Sequence, residues 1–143
     1  MDVRKLLDNP RFKWERRSGA SADALASLRE GKPPSLPVTY LRMLSICNGG
    51  RGSDPHGGGR VELWPAEEVV ERNRALALAT RLPGFLAIGF HDGGDLLAFD
   101  LRESDGAPVC ALRPDVAAPS QVRVLNSSFS EYLQSVALYG GAA

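Results

Sequence analysis

The stretch Phe85-Leu86-Ala87-Ile88-Gly89-Phe90-His91-Asp92-Gly93-Gly94-Asp95-Leu96-Leu97-Ala98-Phe99-Asp100-Leu101 decides the fold class. Two apolar runs of strand length, Phe85 to Phe90 and Asp95 to Leu101, flank His91-Asp92-Gly93-Gly94. Asp-Gly or Gly-Gly supplies the positive φ angles that a tight turn needs, so the stretch predicts a β-hairpin. Downstream, Ser104-Asp105-Gly106 predicts another turn, into a strand over Val109 to Leu112, and Val122-Arg123-Val124-Leu125 predicts a further short strand. Upstream, Val61 and Leu63 alternate around Glu62, and Trp64 closes a strand. Short strands joined by turns make a largely antiparallel sheet.

Helices surround these strands. Ser21 is placed to cap a short helix carrying Leu25 and Leu28, which Gly31, Pro33 and Pro34 stop. A second helix is predicted over 37–47, with Pro37 at its first position and an apolar stripe through Tyr40, Leu41 and Leu44, ending at Asn48-Gly49. Pro65, Glu67 and Glu68 open a third, whose inner side includes Val69, Val70 and Leu76. Ser128-x-x-Glu131 is a capping box ahead of Phe129, Tyr132, Leu133 and Val136, which recur at helical spacing before Gly140-Gly141. Gly49 to Gly59, with six glycines, reads as a mobile loop without a regular element. The expected architecture is a single α+β domain over residues 1–143, mostly antiparallel sheet with helices packed mainly on one face.

Bulk composition agrees with a compact fold. The 143 residues are 43% hydrophobic and 24% charged, enough for one core without covalent staples. Lys plus Arg and Asp plus Glu number 17 each, which gives no global electrostatic reason for binding nucleic acid or an anionic membrane. The charges are nonetheless uneven, with 14 basic and 10 acidic side chains in residues 1–81 against 3 and 7 in 82–143. No segment has the length and apolarity of a signal-peptide core or a membrane span, so the reducing cytosol is the default compartment. Cys47 and Cys110 sit in apolar runs and read as two buried thiols.

A catalytic reading has to start from His91, Asp92, Asp95, Asp100, Asp54 and His56, the few groups able to act as acid, base or metal ligand. His91 and Asp92 fall in the hairpin turn, where backbone geometry explains the residue types. His56 has no second His or Cys at metal spacing. The glycine stretches lack a phosphate-loop pattern, and neither the serines nor Cys47 has a nucleophile's context. Trp64, Phe90, Phe99, Phe129 and Tyr132 have core spacing, and Arg16-Arg17 and Arg72-x-Arg74 read as solvated faces.

Taken in order, four pieces resemble the SUKH superfamily, the Smi/Knr type found in fungal cell-wall regulators and bacterial toxin-immunity proteins. They are Leu36-Pro37-x-x-Tyr40-Leu41-x-x-Leu44-x-x-x-Asn48-Gly49-Gly50; Glu62-Leu63-Trp64 with its Glu-rich helix; the central hairpin quoted above; and Phe129-Ser130-Glu131-Tyr132-Leu133. The resemblance runs from about Phe12 to Tyr139. The stretches Arg51 to Arg60 and Asn73 to Leu82 depart from it. It implies a non-enzymatic protein-binding domain that needs no cofactor and no metal, such as an immunity protein neutralising a cognate toxin, possibly a nuclease. A regulatory or scaffold module of the same fold, binding a cellular protein, is the alternative; a small metal-dependent hydrolase using His91, Asp92 and Asp95 is a further one. The partner-binding residues expected are Asp54, His56, Glu62, His91, Asp92, Asp95, Glu103 and Asp105. An acidic group of Asp92, Asp95, Asp100, Glu103 and Asp105, countered by Arg102, fits a surface that meets a basic partner through charge-assisted hydrogen bonds.

Overall fold

A computed structural model describes residues 2–10, 12–30, 36–56, 59–102 and 107–139. Among the described residues seven strands, β1 (Trp14–Glu15), β2 (Gly50–Ser53), β3 (Arg60–Leu63), β4 (Phe85–His91), β5 (Leu96–Asp100), β6 (Val109–Leu112) and β7 (Arg123–Asn126), form one antiparallel sheet. Each strand pairs with its neighbours in chain order, β1 through β7. Six α-helices among the described residues complete the α+β fold: α1 (Val3–Leu7), α2 (Ala22–Glu30), α3 (Val38–Ile46), α4 (Ala66–Leu76), α5 (Leu78–Arg81) and α6 (Phe129–Tyr139).

Directly paired residues share a face of the sheet, so the registers sort the side chains. Leu86, Phe99 and Val109 lie in one row on one face. There α3 and α6 seat Tyr40 and Phe129 against Phe99, with ring centroids 5.0 to 5.6 Å apart and planes nearly perpendicular, the arrangement that ring quadrupoles favour. The strands β4, β5 and β6 bury almost every side chain, so both of their faces are covered. On the second face β4 meets α4 and α5.

Several elements form for the reasons read in the sequence. Ser21 Oγ accepts the Ala24 amide and starts α2, and Ser128 Oγ accepts the Glu131 amide and starts α6. The Glu131 carboxylate reaches back to the amide and hydroxyl of Ser127, one residue earlier than a standard capping box has it. Pro37 is the N-cap of α3, just ahead of the first helical position. The stop at Gly31, Pro33 and Pro34, the turn Ser104-Asp105-Gly106 and the pair Gly140-Gly141 lie outside the described residues.

Two expectations are corrected. Gly50 to Ser53 is a strand and not loop. The reason is Trp14, whose ring lies against β2: a Cβ on Gly50 would stand 2.3 Å from Trp14 Nε1, and one on Gly52 2.3 Å from Cε3. These glycines make room for an indole, one of the settings in which glycine belongs inside a strand. The Trp14 Nε1–H in turn donates to the Gly49 carbonyl. His91 is the second correction. It ends β4 opposite Val61 and is buried, so the turn begins at Asp92.

Beyond α4 the chain passes through Ala77, held left-handed at φ 53°, into α5. Asn73, on α4, is buried and grips β4 where β3 has ended. Its Nδ2 donates to the Ala87 and Val69 carbonyls, both at 2.7 Å, and its Oδ1 accepts the Ala87 amide at 2.8 Å. A backbone edge that would otherwise be buried unpaired is thereby satisfied.

Candidate binding surface

The residues singled out in the sequence divide between the two faces of the sheet. On the face carrying α3 and α6, Asp54 and His91 are buried together, their side chains 4% and 5% exposed. His91 Nε2 stands 3.3 Å from Asp54 Oδ2, close enough for a charge contact but too oblique for a hydrogen bond. Tyr132 lies near them. Burial, with a lesser push from the Asp54 carboxylate, drives its phenol pKa upward, so the ring stays neutral.

His56 closes over this group. Its ring stacks on Tyr132 with centroids 6.2 Å apart, and its Nε2 lies 2.7 Å from Asn126 Oδ1. Asn126 belongs to β7, so the turn after β2 reaches the last strand of the sheet. Since Asn126 Nδ2 is engaged by Ser135 Oγ, the amide oxygen faces His56 and the imidazole donates from Nε2.

The other face is open over the first three strands. Glu15, Arg51, Glu62, Phe90 and Leu96 form one cross-strand row on it. Arg51 pairs with Glu62, and Arg60 pairs with Glu15 at 3.0 Å. Three of these four charged side chains are more than half exposed, and such pairs contribute only about 0–1 kcal/mol each. Along the row, charge gives way to apolar surface. Phe90 is half-buried beside Trp64 and opens into a cleft of about 330 Å³ lined by Trp64, Arg72, Ala75, Leu76, Phe90, Gly94 and Leu96. The Arg72 guanidinium covers the Trp64 ring at 5.0 Å and is held by Glu68, one turn earlier on α4, at 2.8 Å.

Of the expected partner-binding residues, Glu62 lies in this open row. Asp54 and His91 are interior, and His56, exposed, stacks on Tyr132 and bonds Asn126. Asp92 is exposed in the β4–β5 turn, where its carboxylate accepts the Arg60 amide at 3.3 Å, and Asp95 follows it half-buried. Glu103 and Asp105 lie outside the described residues. The acidic group is also divided: Asp95 precedes β5 and Asp100 ends it, where Arg102 clamps Asp100 with two bonds of 2.8 and 2.9 Å. That clamp holds the Asp100 carboxyl below its usual pKa.

The hydrolase set is likewise not assembled, because His91 faces inward while Asp92 faces solvent. Among the described residues, no three His, Cys, Asp or Glu side chains meet in a metal-binding arrangement. Nor is any described helix long and apolar enough to cross a membrane. Cys47 and Cys110 are free and buried.

Sequence reasoning assigned Trp64 and Phe90 to the core and Arg72 to a solvated face, and so missed the cleft they share. Its one sequence signal is the Trp64-Pro65 junction, which turns the chain directly from β3 into α4. The contact between His56 and Asn126 spans 70 positions and has no sequence signal.

Among protein-family models, that of the SMI1 / KNR4 family (SUKH-1) matches residues 19–135. Comparison with curated proteins gave no match.

Proposed function

The chain belongs to the SMI1 / KNR4 family (SUKH-1), and from that premise we propose that it acts by binding another protein, as an immunity protein that neutralises a cognate bacterial toxin. Catalysis has no part in this reading, and neither a cofactor nor a metal is required.

The observation that carries the reading is the open face of β1 to β3 with the cleft at its border. A hot spot of binding is usually an aromatic or aliphatic pocket ringed by polar groups that exclude water. Phe90, Trp64 and Leu96 make such a pocket, and Glu15, Arg51, Arg60 and Glu62 make the rim. Glu62, Asp92 and Asp95 add carboxylates on or beside this surface and favour encounter with a basic partner. The cytosol, where thiols stay reduced, suits the two free cysteines.

The test is co-expression with the chain encoded immediately beside this one. The expected result is restored growth and a complex that co-purifies, weakened at least tenfold by Phe90→Ala with the circular dichroism spectrum unchanged. If the neighbouring chain is not toxic and neither effect is seen, the immunity reading fails. The family also admits a regulatory module that binds a cellular protein, and gene neighbourhood separates the two.

A further inference from the structure

The chemistry of the cleft specifies more than an apolar guest. Among the described residues that line it, the only polar side chains are Trp64 and Arg72, and both are pure hydrogen-bond donors. The Trp64 Nε1–H is buried and has no acceptor among the described residues, an unusual state for an indole. Arg72 lies over that same ring. Its carboxylate partner Glu68 is on its own helix and about as exposed as Arg72 itself, 43% against 47%, so the pair is weak and readily exchanged. The walls contributed by Ala75, Leu76, Phe90, Gly94 and Leu96 are apolar.

We infer that the Trp64–Arg72–Phe90 cleft receives, from the partner protein, an apolar side chain flanked by an Asp or Glu carboxylate. The apolar group fills the space against Phe90, Leu76 and Leu96. The carboxylate replaces Glu68 on the Arg72 guanidinium and supplies an acceptor to the Trp64 N–H of the same lining. Glu62, Asp92 and Asp95 sit outside the lining and meet basic groups elsewhere on the same partner. This inference rests on the reading of the open face as the partner-binding surface and adds the sign of the charge that enters its cleft.

The test uses three short probes on the full chain: acetyl-Glu-Leu-Glu-amide, its neutral Gln analogue and its basic Lys analogue. The readout is the ¹H–¹⁵N resonance of the Trp64 indole, assigned through Trp64→Phe, with the Trp14 indole as internal control because its N–H is already bonded to Gly49. The acidic probe is expected to shift the Trp64 signal with an affinity about tenfold above that of the neutral probe, and the basic probe to bind more weakly than either. Arg72→Gln, a change at an exposed position, is expected to remove the acidic preference, so that the acidic and neutral probes bind alike. Equal binding of acidic and neutral probes, a preference for the basic one, no shift with any probe, or an unchanged preference in Arg72→Gln overturns the inference. If the Arg72→Gln protein binds the toxin as tightly as the parent chain, the inference fails while the immunity reading stands; if the parent chain forms no complex at all, it is the immunity reading that fails.

Discussion

Asn73→Ala isolates one bidentate clamp and permits a worked expectation. The side chain is 5% exposed and satisfies the amide and carbonyl of Ala87, which is itself fully buried. Its truncation leaves two buried backbone groups without partners, and each costs about 1–3 kcal/mol. A loss of about 4 kcal/mol follows, against a total stability of about 5–15 kcal/mol for a domain of this kind. In a chain of this length that lowers Tm by roughly 12 °C, at about 3 °C per kcal/mol. The assay is urea unfolding followed by fluorescence; the midpoint falls while the slope with denaturant is unchanged. Asn73→Asp is the informative companion. It keeps an acceptor for the Ala87 amide but sets a second oxygen against the Ala87 carbonyl at the 2.7 Å position. It is therefore as destabilising as Ala at neutral pH and partly recovers in acid, where the protonated carboxyl donates. A loss below about 1 kcal/mol for Ala, or full stability for Asp at pH 7, refutes the account of how α4 holds β4.

Backbone and thiol chemistry carry three further predictions. Ala77 is exposed and left-handed at φ 53°, a region that costs a non-glycine residue roughly 1 kcal/mol. Ala77→Gly is expected to raise stability by about 0.5 kcal/mol once glycine's added chain entropy is subtracted, and a lower urea midpoint would contradict this. Burial, aided by the Asp100 charge, pushes the Cys110 thiol up to about 11 from 9.0. Near pH 8 its thiolate fraction is about one in a thousand, so Cys110 resists alkylation in the native chain and reacts at once in denaturant. The unfolded chain loses this proton first as pH rises, so stability falls between about pH 9 and pH 11, and a Cys110→Ala protein shows a shallower fall.

The sequence was most informative where a local rule fixes structure. The β4–β5 hairpin, the Ser21 and Ser128 caps, the α3 stripe and the β6 and β7 strands were all legible from spacing, because turns, caps and amphipathic faces depend on residues a few positions apart. The misread positions depend on partners far along the chain. Gly50 and Gly52 looked like loop residues because Trp14, the ring they accommodate, lies more than thirty positions away. His91 looked like a turn residue because Asp54, the side chain it is buried with, lies far away along the chain. Asn48 ends α3 as its Asn-Gly signal suggests, yet its Oδ1 also accepts the Ala66 amide and its Nδ2 binds Glu67, so it caps α4 too. The binding surface was the least legible part. Glu62 was among the residues expected to meet a partner, whereas the cleft beside it needs β4, β5 and α4 brought together, and no single stretch encodes that.

The chain-order arrangement of the sheet bears on how the protein reaches its native state. From β4 to β7 each strand joins the next through a connection of at most ten residues, whereas 34 residues separate β1 from β2 and 21 separate β3 from β4. Short closures sacrifice little chain freedom and are made early, so the C-terminal four strands form the natural nucleus. The β2–β3 ribbon must then be delivered across the helical segment of α4 and α5, and the two-residue β1 is added last. Substitutions in β1 should accordingly speed unfolding and leave the folding rate almost untouched, while those at the β4–β5 turn slow folding itself.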